Sequence, residues 1–362
     1  MQQDDRVTGA NGTGPDGRLV RWAGGTAPWA LAASTAWGPG GDADFPPAVR
    51  VIIDNDFAGD PDDLPQLAHH LLSPSVDVRL VISSHLAPGD VFHPGPGSAA
   101  AGAERVRLLA GAMGVDLSDV LVVGAEQGLA DLATPSPSEA SRRIVAEALR
   151  DDTDLPLYVL CGGGLTDVAS AYLVEPRIAD RLTVVWIGGP EDPALAAPPP
   201  GDPTPEYNLG IDVTAGRLVL ERSTLPLWQV PRNAYRQAIV SDAELRARMA
   251  PAGPLGARLY RELVALERRV PEILGGRRET YCLGDQPLVL LSALQTVFEP
   301  DAGSSDAVIR HAPRLGERGA FVADPDGREI RVFTRLDTRL MFEDLFTKLA
   351  EHARWAREAL PG

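Results

Sequence analysis

The stretch Val51 to Leu72, VIIDNDFAGDPDDLPQLAHHLL, limits what this chain can fold into more than any other segment. A continuous apolar run, Val51 to Ile53, leads straight into Asp54, Asp56, Asp60, Asp62 and Asp63, and then into an apolar segment with helical spacing. Continuous rather than alternating apolar residues describe a strand covered on both faces, the setting of a parallel sheet. Five carboxylates at the end of such a strand repel one another unless a hard cation with oxygen ligands sits among them. Calcium is expected ahead of magnesium, because the cluster offers many direct oxygen donors. An acidic turn with a capped helix would account for one or two of these aspartates, not for five.

The rest of the chain repeats the same alternation. Apolar runs at Val78 to Ile82, Val120 to Val123, Leu157 to Cys161, Leu182 to Ile187 and Leu225 to Val230 are separated by segments with helical spacing. The helical segments include Leu64 to Leu72, Ala99 to Met113, Ser138 to Leu149, Val168 to Leu173 and Val213 to Glu221, with Pro65 placed where a first helical turn tolerates it. Such a pattern predicts an α/β fold with a mainly parallel central sheet and helices on both faces, a Rossmann-like open sheet. Ligands of such sheets bind at the carboxyl ends of the strands. Asp242 to Val270 reads as helical and charged, and Pro287 to Leu294 as an apolar helix. At the C-terminal end, Gly319 to Ala323 and Glu329 to Arg335 flank the turn signal Asp324-Pro325-Asp326-Gly327 and predict an extra hairpin, followed by an amphipathic helix over Arg339 to Leu360. Residues 1–48 read as an N-terminal extension, flexible and rich in Gly, Ala, Asp and Thr; residues 49–362 read as one domain.

Composition narrows the partners. A formal net charge of -16 argues against a nucleic-acid backbone and suits a cation with a neutral small molecule. Two cysteines, Cys161 and Cys282, make neither a disulfide framework nor a zinc pattern. No apolar run is long enough to span a membrane, and the Ala-rich Pro28 to Trp37 lacks the basic lead of a signal peptide, so a cytoplasmic location is expected, with a secreted or periplasmic one left open. Gly162 to Gly164 has no Walker lysine or GxGxxG partner, and Ser83-Ser84 has no nucleophile elbow, which argues against dinucleotide binding and serine hydrolysis.

Five short motifs in order carry a family resemblance. Asp54-x-Asp56, Gly59 and Asp62-Asp63 resemble the DxDxGxDD signature of the inosine-uridine-preferring nucleoside hydrolases, with two extra residues before the final pair. Gly162-Gly163-Gly164-Leu165-Thr166-Asp167 is similar to that family's TGPLTN turn, Gly188-Gly189 to its paired glycines, Glu206-Tyr207-Asn208 to its E-F-N segment, and Asp285-x-Pro287-Leu288 to its HDPLA motif. The resemblance spans about residues 50 to 295 and implies calcium-dependent hydrolysis of the N-glycosidic bond of a ribonucleoside or related ribosyl compound, as in purine and pyrimidine salvage.

That resemblance also assigns roles. Asp56 would touch the calcium and act as base on the attacking water; Asp62, Asp63, Asp285 and the Gly162 carbonyl would be further ligands, with Asp60 competing for the place given to Asp62. Glu206 and Asn208 would hold ribose hydroxyls, with Asp54 beside them, and a homodimer or homotetramer is implied. From the residues themselves, His85 at a strand end is a candidate leaving-group acid or sugar ligand. His93, in the Gly/Pro-rich loop Pro88 to Gly97, is a candidate to close over a ligand, and Trp228, Tyr235 and Tyr281 are candidates to stack a base, against packing as the other reading of each. His69 and His70 read as structural. Two departures from the family pattern, Gly284 in place of a histidine and Ser83-Ser84-His85 in place of an asparagine-bearing turn, motivate a second reading: a protein that binds ribose or a nucleotide derivative and hydrolyses little.

Overall fold

The computed structural model describes residues 18–37, 46–201, 205–269, 279–296 and 304–360. Its centre is a sheet built from the apolar runs: β1 (Val49–Asn55), β2 (Val76–Ser83), β3 (Leu121–Val123), β4 (Leu157–Cys161), β5 (Thr183–Ile187), β6 (Leu227–Val230), β7 (Asp306–His311) and β8 (Glu329–Arg335). Their order across the sheet is β7-β8-β6-β5-β4-β1-β2-β3, and every pairing is parallel except β7 with β8. The first six strands thus follow the doubly wound order 3-2-1-4-5-6, whose direction of winding reverses between β1 and β4. Crossover helices cannot cover the carboxyl ends of those two strands, so a crevice opens there.

Burial follows the two-residue period of the strands. Val51 and Ile53 of β1 face a core shared with helix α1 (Asp63–Leu71) and the long helices Ser98–Met113, Gly253–Arg269 and Thr338–Ala359. Ile52 faces the opposite core, under the helices Glu139–Ala148 and Thr166–Val174. Both cores are needed because a parallel strand has no solvent face. Side chains cap the helix starts: Ser138 accepts from the Ser141 amide, and Asp337 from the Leu340 amide.

Two parts differ from the sequence reading. The strand Glu329–Arg335 pairs antiparallel with Asp306–His311, while Phe321–Val322 pairs with Arg314–Leu315; the turn at Asp324 to Gly327 forms, with Gly327 N–H on Asp324 O at 3.1 Å, but joins two separate ribbons. The β8 strand gains a full-length partner this way, whereas Gly319 to Ala323 is too short to offer one. In the stretch read as an extension, the strand Arg21–Trp22 pairs with Val115–Asp116 and the helix Pro28–Trp37 packs on Thr338–Ala359, with Trp22 buried. Residues 1–17 and 38–45 of that stretch lie outside the described residues.

Candidate functional site

β1 ends at the reversal of winding, and the chain then loops through Phe57 to Asp62 before entering α1. Arg105, from the helix Ser98–Met113, ties this loop down by donating to Phe57 O at 2.7 Å and Gly59 O at 3.1 Å. A crevice of about 210 Å³ opens above it, lined by Asp56, Asp60, Asp62, Asp63, Gly162, Glu206, Asn208 and Asp285 from the expected residues, and by Ile187, Tyr207, Tyr235, Cys282 and Gly284 besides.

Asp56 sits just beyond the strand, and no other side chain hydrogen-bonds to its carboxylate among the described residues. Its oxygens press against two glycines: a Cβ on Gly163 would lie 2.8 Å from Asp56 Oδ1, and one on Gly59 3.1 Å from Oδ2. Burial, followed by repulsion from Asp63, pushes the Asp56 carboxyl well up. Burial first and then neighbouring aspartates do the same to Asp62 and Asp285. Asp63 rises to about 6, mainly through burial. Asp62 and Asp63 stand at the N-terminus of α1, where the helix dipole favours negative charge, yet desolvation and crowding outweigh it.

Asp60 and Asp62 both line the crevice and differ in their hydrogen bonds. Asp60 Oδ1 accepts from the Tyr281 hydroxyl and from the Asp62 amide, so Asp60 braces the loop against Tyr281. Asp62 Oδ2 accepts the Asp285 amide at 3.3 Å, and the Asp62 side chain also lies within hydrogen-bonding reach of the Asp60 carboxyl. Asp63 lies within hydrogen-bonding reach of Asp285, while Asp63 Oδ1 is buried with no hydrogen-bond partner among the described residues. Buried oxygen without a donor is unstable in isolation and suits a cation. Among the described residues no three His, Cys, Asp or Glu side chains are drawn together tightly enough to make a ready-made metal group. The fit to a hard cation rests on the donor chemistry, crowded carboxyl groups with the Asp63 Oδ1 left without a donor among the described residues.

The opposite wall is formed by β4, β5 and the short helix Tyr207–Ile211. Asn208 Nδ2 donates to Gly162 O and Ile187 O, both at 2.8 Å, which pins the ends of β4 and β5 together. Glu206 caps the helix by accepting from the Asn208 and Leu209 amides, and also takes the Gly189 amide at 2.7 Å and the Tyr235 hydroxyl at 2.8 Å. Gly189, at φ 81°, supplies the left-handed turn this requires. Tyr207 donates to Asp90 at 2.8 Å and meets Phe92 edge-on, so the Gly/Pro-rich loop reaches the crevice through Asp90 and Phe92.

Four expected residues stand elsewhere. Asp54 belongs to the period-two face opposite Asn55, buried beside Asp167 and Cys161 and away from the crevice. His85 is buried, with Nδ1 on Leu86 O and Nε2 on Thr166 Oγ1, both at 2.9 Å. His93 bonds Pro96 O within its own exposed loop. Trp228 packs between Tyr158 and Phe333 with the Arg331 guanidinium over its ring, outside the lining of the crevice. Of the other two aromatics considered for a base, Tyr235 lines the crevice and Tyr281 stands behind it on Asp60. Tyr207 lines it too without being singled out by sequence reasoning; its position between Glu206 and Asn208 was the available signal.

A mainly parallel sheet with an acidic crevice at its reversal of winding places the chain among the nucleoside hydrolases, enzymes that cleave N-ribosidic bonds. Residues 51–343 match the model of the inosine-uridine preferring nucleoside hydrolase family, and the chain belongs to that family, one of metal-dependent hydrolases. Solved structures with the same fold include a purine-preferring ribonucleoside hydrolase from Gardnerella vaginalis, 16% identical over 85% of this chain and 100% of that one, with a TM-score of 0.63. A plant nucleoside hydrolase is 16% identical over 84% and 99%, TM-score 0.60. A nucleoside hydrolase-related protein from Saccharophagus degradans associated with carbohydrate metabolism is 17% identical over 84% and 72%, TM-score 0.53. At these identities the likeness is one of fold. No curated protein sequence matches the chain, and no helix among the described residues is long and apolar enough to cross a membrane.

Proposed function

We propose that the chain hydrolyses the N-glycosidic bond of a ribonucleoside, or a related ribosyl compound, with calcium as its metal. The observation that supports this most is the meeting of Asp56, Asp62, Asp63 and Asp285 with the Gly162 carbonyl in one crevice. Those five groups would hold the ion, and Asp60 would stay on Tyr281. Calcium, when bound, supplies charge that fixes sugar hydroxyls and acidifies a nearby water.

The residues of the chain do the rest. Asp56, unengaged by other side chains, takes the proton of the attacking water. The acidic wall stabilises the positive charge that develops on the ribosyl ring as the bond to the base breaks. Glu206, already holding four donors, fixes the wall from which the Asn208 Oδ1 orients sugar hydroxyls, and takes a sugar hydroxyl itself only by exchanging one of those donors for it. Asp56→Ala and Asp285→Ala are each expected to reduce kcat by at least about a hundredfold, in the range of a lost acid or base, while the far-ultraviolet spectrum is kept. Release of free base and reducing sugar from a nucleoside panel, with and without chelator, checks this; wild-type turnover in both variants sinks it.

A specific observation favours the second reading, a ribosyl-binding protein with little turnover. None of the chain's six histidines lines the crevice, and the Tyr207 and Tyr235 hydroxyls, both pushed up first by burial, donate to carboxylates. Calorimetric titration of nucleosides in parallel with the product assay separates the readings. Binding without base release would select the second.

A further inference from the structure

Behind the acidic wall lies a row of buried polar side chains that the proposed chemistry does not use. Asn55, fully buried at the end of β1, accepts the Gly162 amide on Oδ1 at 2.9 Å. Its Nδ2 donates to Asp285 Oδ2 at 3.0 Å and to Gln66 Oε1 at 3.1 Å. Gln66 Oε1 is thereby an acceptor, so its Nε2 donates to the neighbouring His70 Nδ1. His70 then carries its hydrogen on Nε2, which donates to Ser292 Oγ at 2.9 Å, and the Ser292 hydroxyl donates to Leu288 O at 2.6 Å.

From the Gly162 amide to Leu288 O every link runs in one direction, with a branch at Asn55 that donates to Asp285, and a neutral His70 completes it, since a proton on Nδ1 would face the Gln66 amide hydrogens. Burial, the larger influence, followed by the charge of His69, already disfavours the imidazolium. Asn55, Gln66, His70 and Ser292 are each 2% exposed or less, and all of their polar atoms that point along the row are paired. A complete buried network of this kind rigidifies what it touches, whereas a partial one would be costly.

Asn55 touches Asp285 and Gly162, the two proposed ligands that come from outside the β1 to α1 connection, and lies within hydrogen-bonding reach of Asp63 as well. Repulsion from Asp62 and Asp63 pushes against Asp285, and the Asn55 N–H opposes it with a charge-assisted hydrogen bond. We infer that Asn55, Gln66 and His70 are positioning residues that set the orientation of the Asp285 carboxylate and the Gly162 peptide, and through them the affinity for the cation. This inference rests on the proposed calcium site. Gln66 and His70 lie on α1 with no atom in the crevice, so their influence reaches it through Asn55.

The experiment measures calcium binding by calorimetry, without nucleoside, alongside thermal unfolding in chelator. Asn55→Ala removes the junction itself, and Gln66→Met keeps side-chain length and volume while deleting the donor and acceptor, so it guards against a variant that fails to fold. His70→Phe keeps the ring. Gln66→Met and His70→Phe are expected to weaken calcium binding roughly tenfold to a hundredfold, the usual reach of outer-sphere partners, with lost turnover largely restored by excess calcium. Wild-type calcium affinity in both, with only the melting temperature lowered, would make the row a packing feature and overturn the inference. Wild-type protein that binds no calcium overturns the proposed site and this inference together, and that result is distinguished by being seen before any variant is compared.

Discussion

At the scale of single residues, position along the strand decides more than residue type. A Cβ on Gly162 would stand 2.6 Å from Asn55 Oδ1 and closer still to Asp285 Oδ2. Gly162→Ala therefore has to displace both, and is expected to destabilise the fold by about 1–3 kcal/mol, the range of overpacking, and to abolish calcium binding; denaturant titration and calorimetry read the two. His85 offers the contrasting case, with both ring nitrogens engaged away from the crevice. His85→Phe should lower stability by about 1–3 kcal/mol through the Leu86 carbonyl left without its donor and the lost contact to Thr166, whose hydroxyl keeps Asp212, yet leave the shape of the pH–rate profile unchanged; loss of one limb would return His85 to the chemistry. That Asp56, Asp62 and Asp63 stand together was legible from their crowding at a strand end, and that Gly162 and Asp285 join them in one crevice was legible only through the family resemblance. The places of Asp54 and Asn55 were not legible, because carboxylate chemistry drew attention to Asp54 while the strand's period turned it to the other core and put Asn55 in contact with Asp285.

Among the elements, the β1 to α1 connection concentrates buried carboxyl groups in a loop that Arg105 ties down. Its aspartates are raised by burial first and by each other second, Asp63 to about 6. In the unfolded chain the same carboxyls ionise near their ordinary value of about 3.9. Between about pH 4 and pH 6, cation-free native protein thus binds protons that the unfolded chain has released, and by linkage its stability falls as pH rises through that window. Calcium needs the ionised carboxylates, so its stabilising effect grows in the same direction. Melting temperatures in chelator and in calcium are expected to diverge steadily from about pH 5 to about pH 8; a constant gap would count against the aspartates as ligands. The strands were legible as apolar runs, and the C-terminal pairing was not, because the turn at Asp324 to Gly327 names a reversal without naming the partner, and β7, with its alternating exposure, carries no continuous apolar signal.

For the whole molecule, the doubly wound sheet fixes where the crevice falls, and a layer remote from it fixes how firmly the sheet is closed. The helix Thr338–Ala359 crosses the back of α1, where His69 Nε2 bonds Asp344 at 2.8 Å, and ends in an aromatic cluster with the N-terminal segment. There Trp355, 1% exposed, meets Trp22 edge-on at 5.2 Å and donates to Thr26 O at 2.7 Å, while His352 bonds Met113 O at 2.9 Å. None of these residues lines the crevice. Substitutions separated by more than a few side chains act independently unless a shared network joins them, and the polar connection from this helix to α1 runs through its Asp344 end rather than its Trp355 end. Trp355→Ala is therefore expected to cost about 3–5 kcal/mol of stability and to expose the segment around Trp22 to proteolysis, while calcium affinity and kcat measured well below the melting temperature stay at wild-type values. A parallel loss of calcium affinity would mean that the aromatic layer and the acidic crevice form one cooperative unit, and that the helix transmits packing from its C-terminal end to α1.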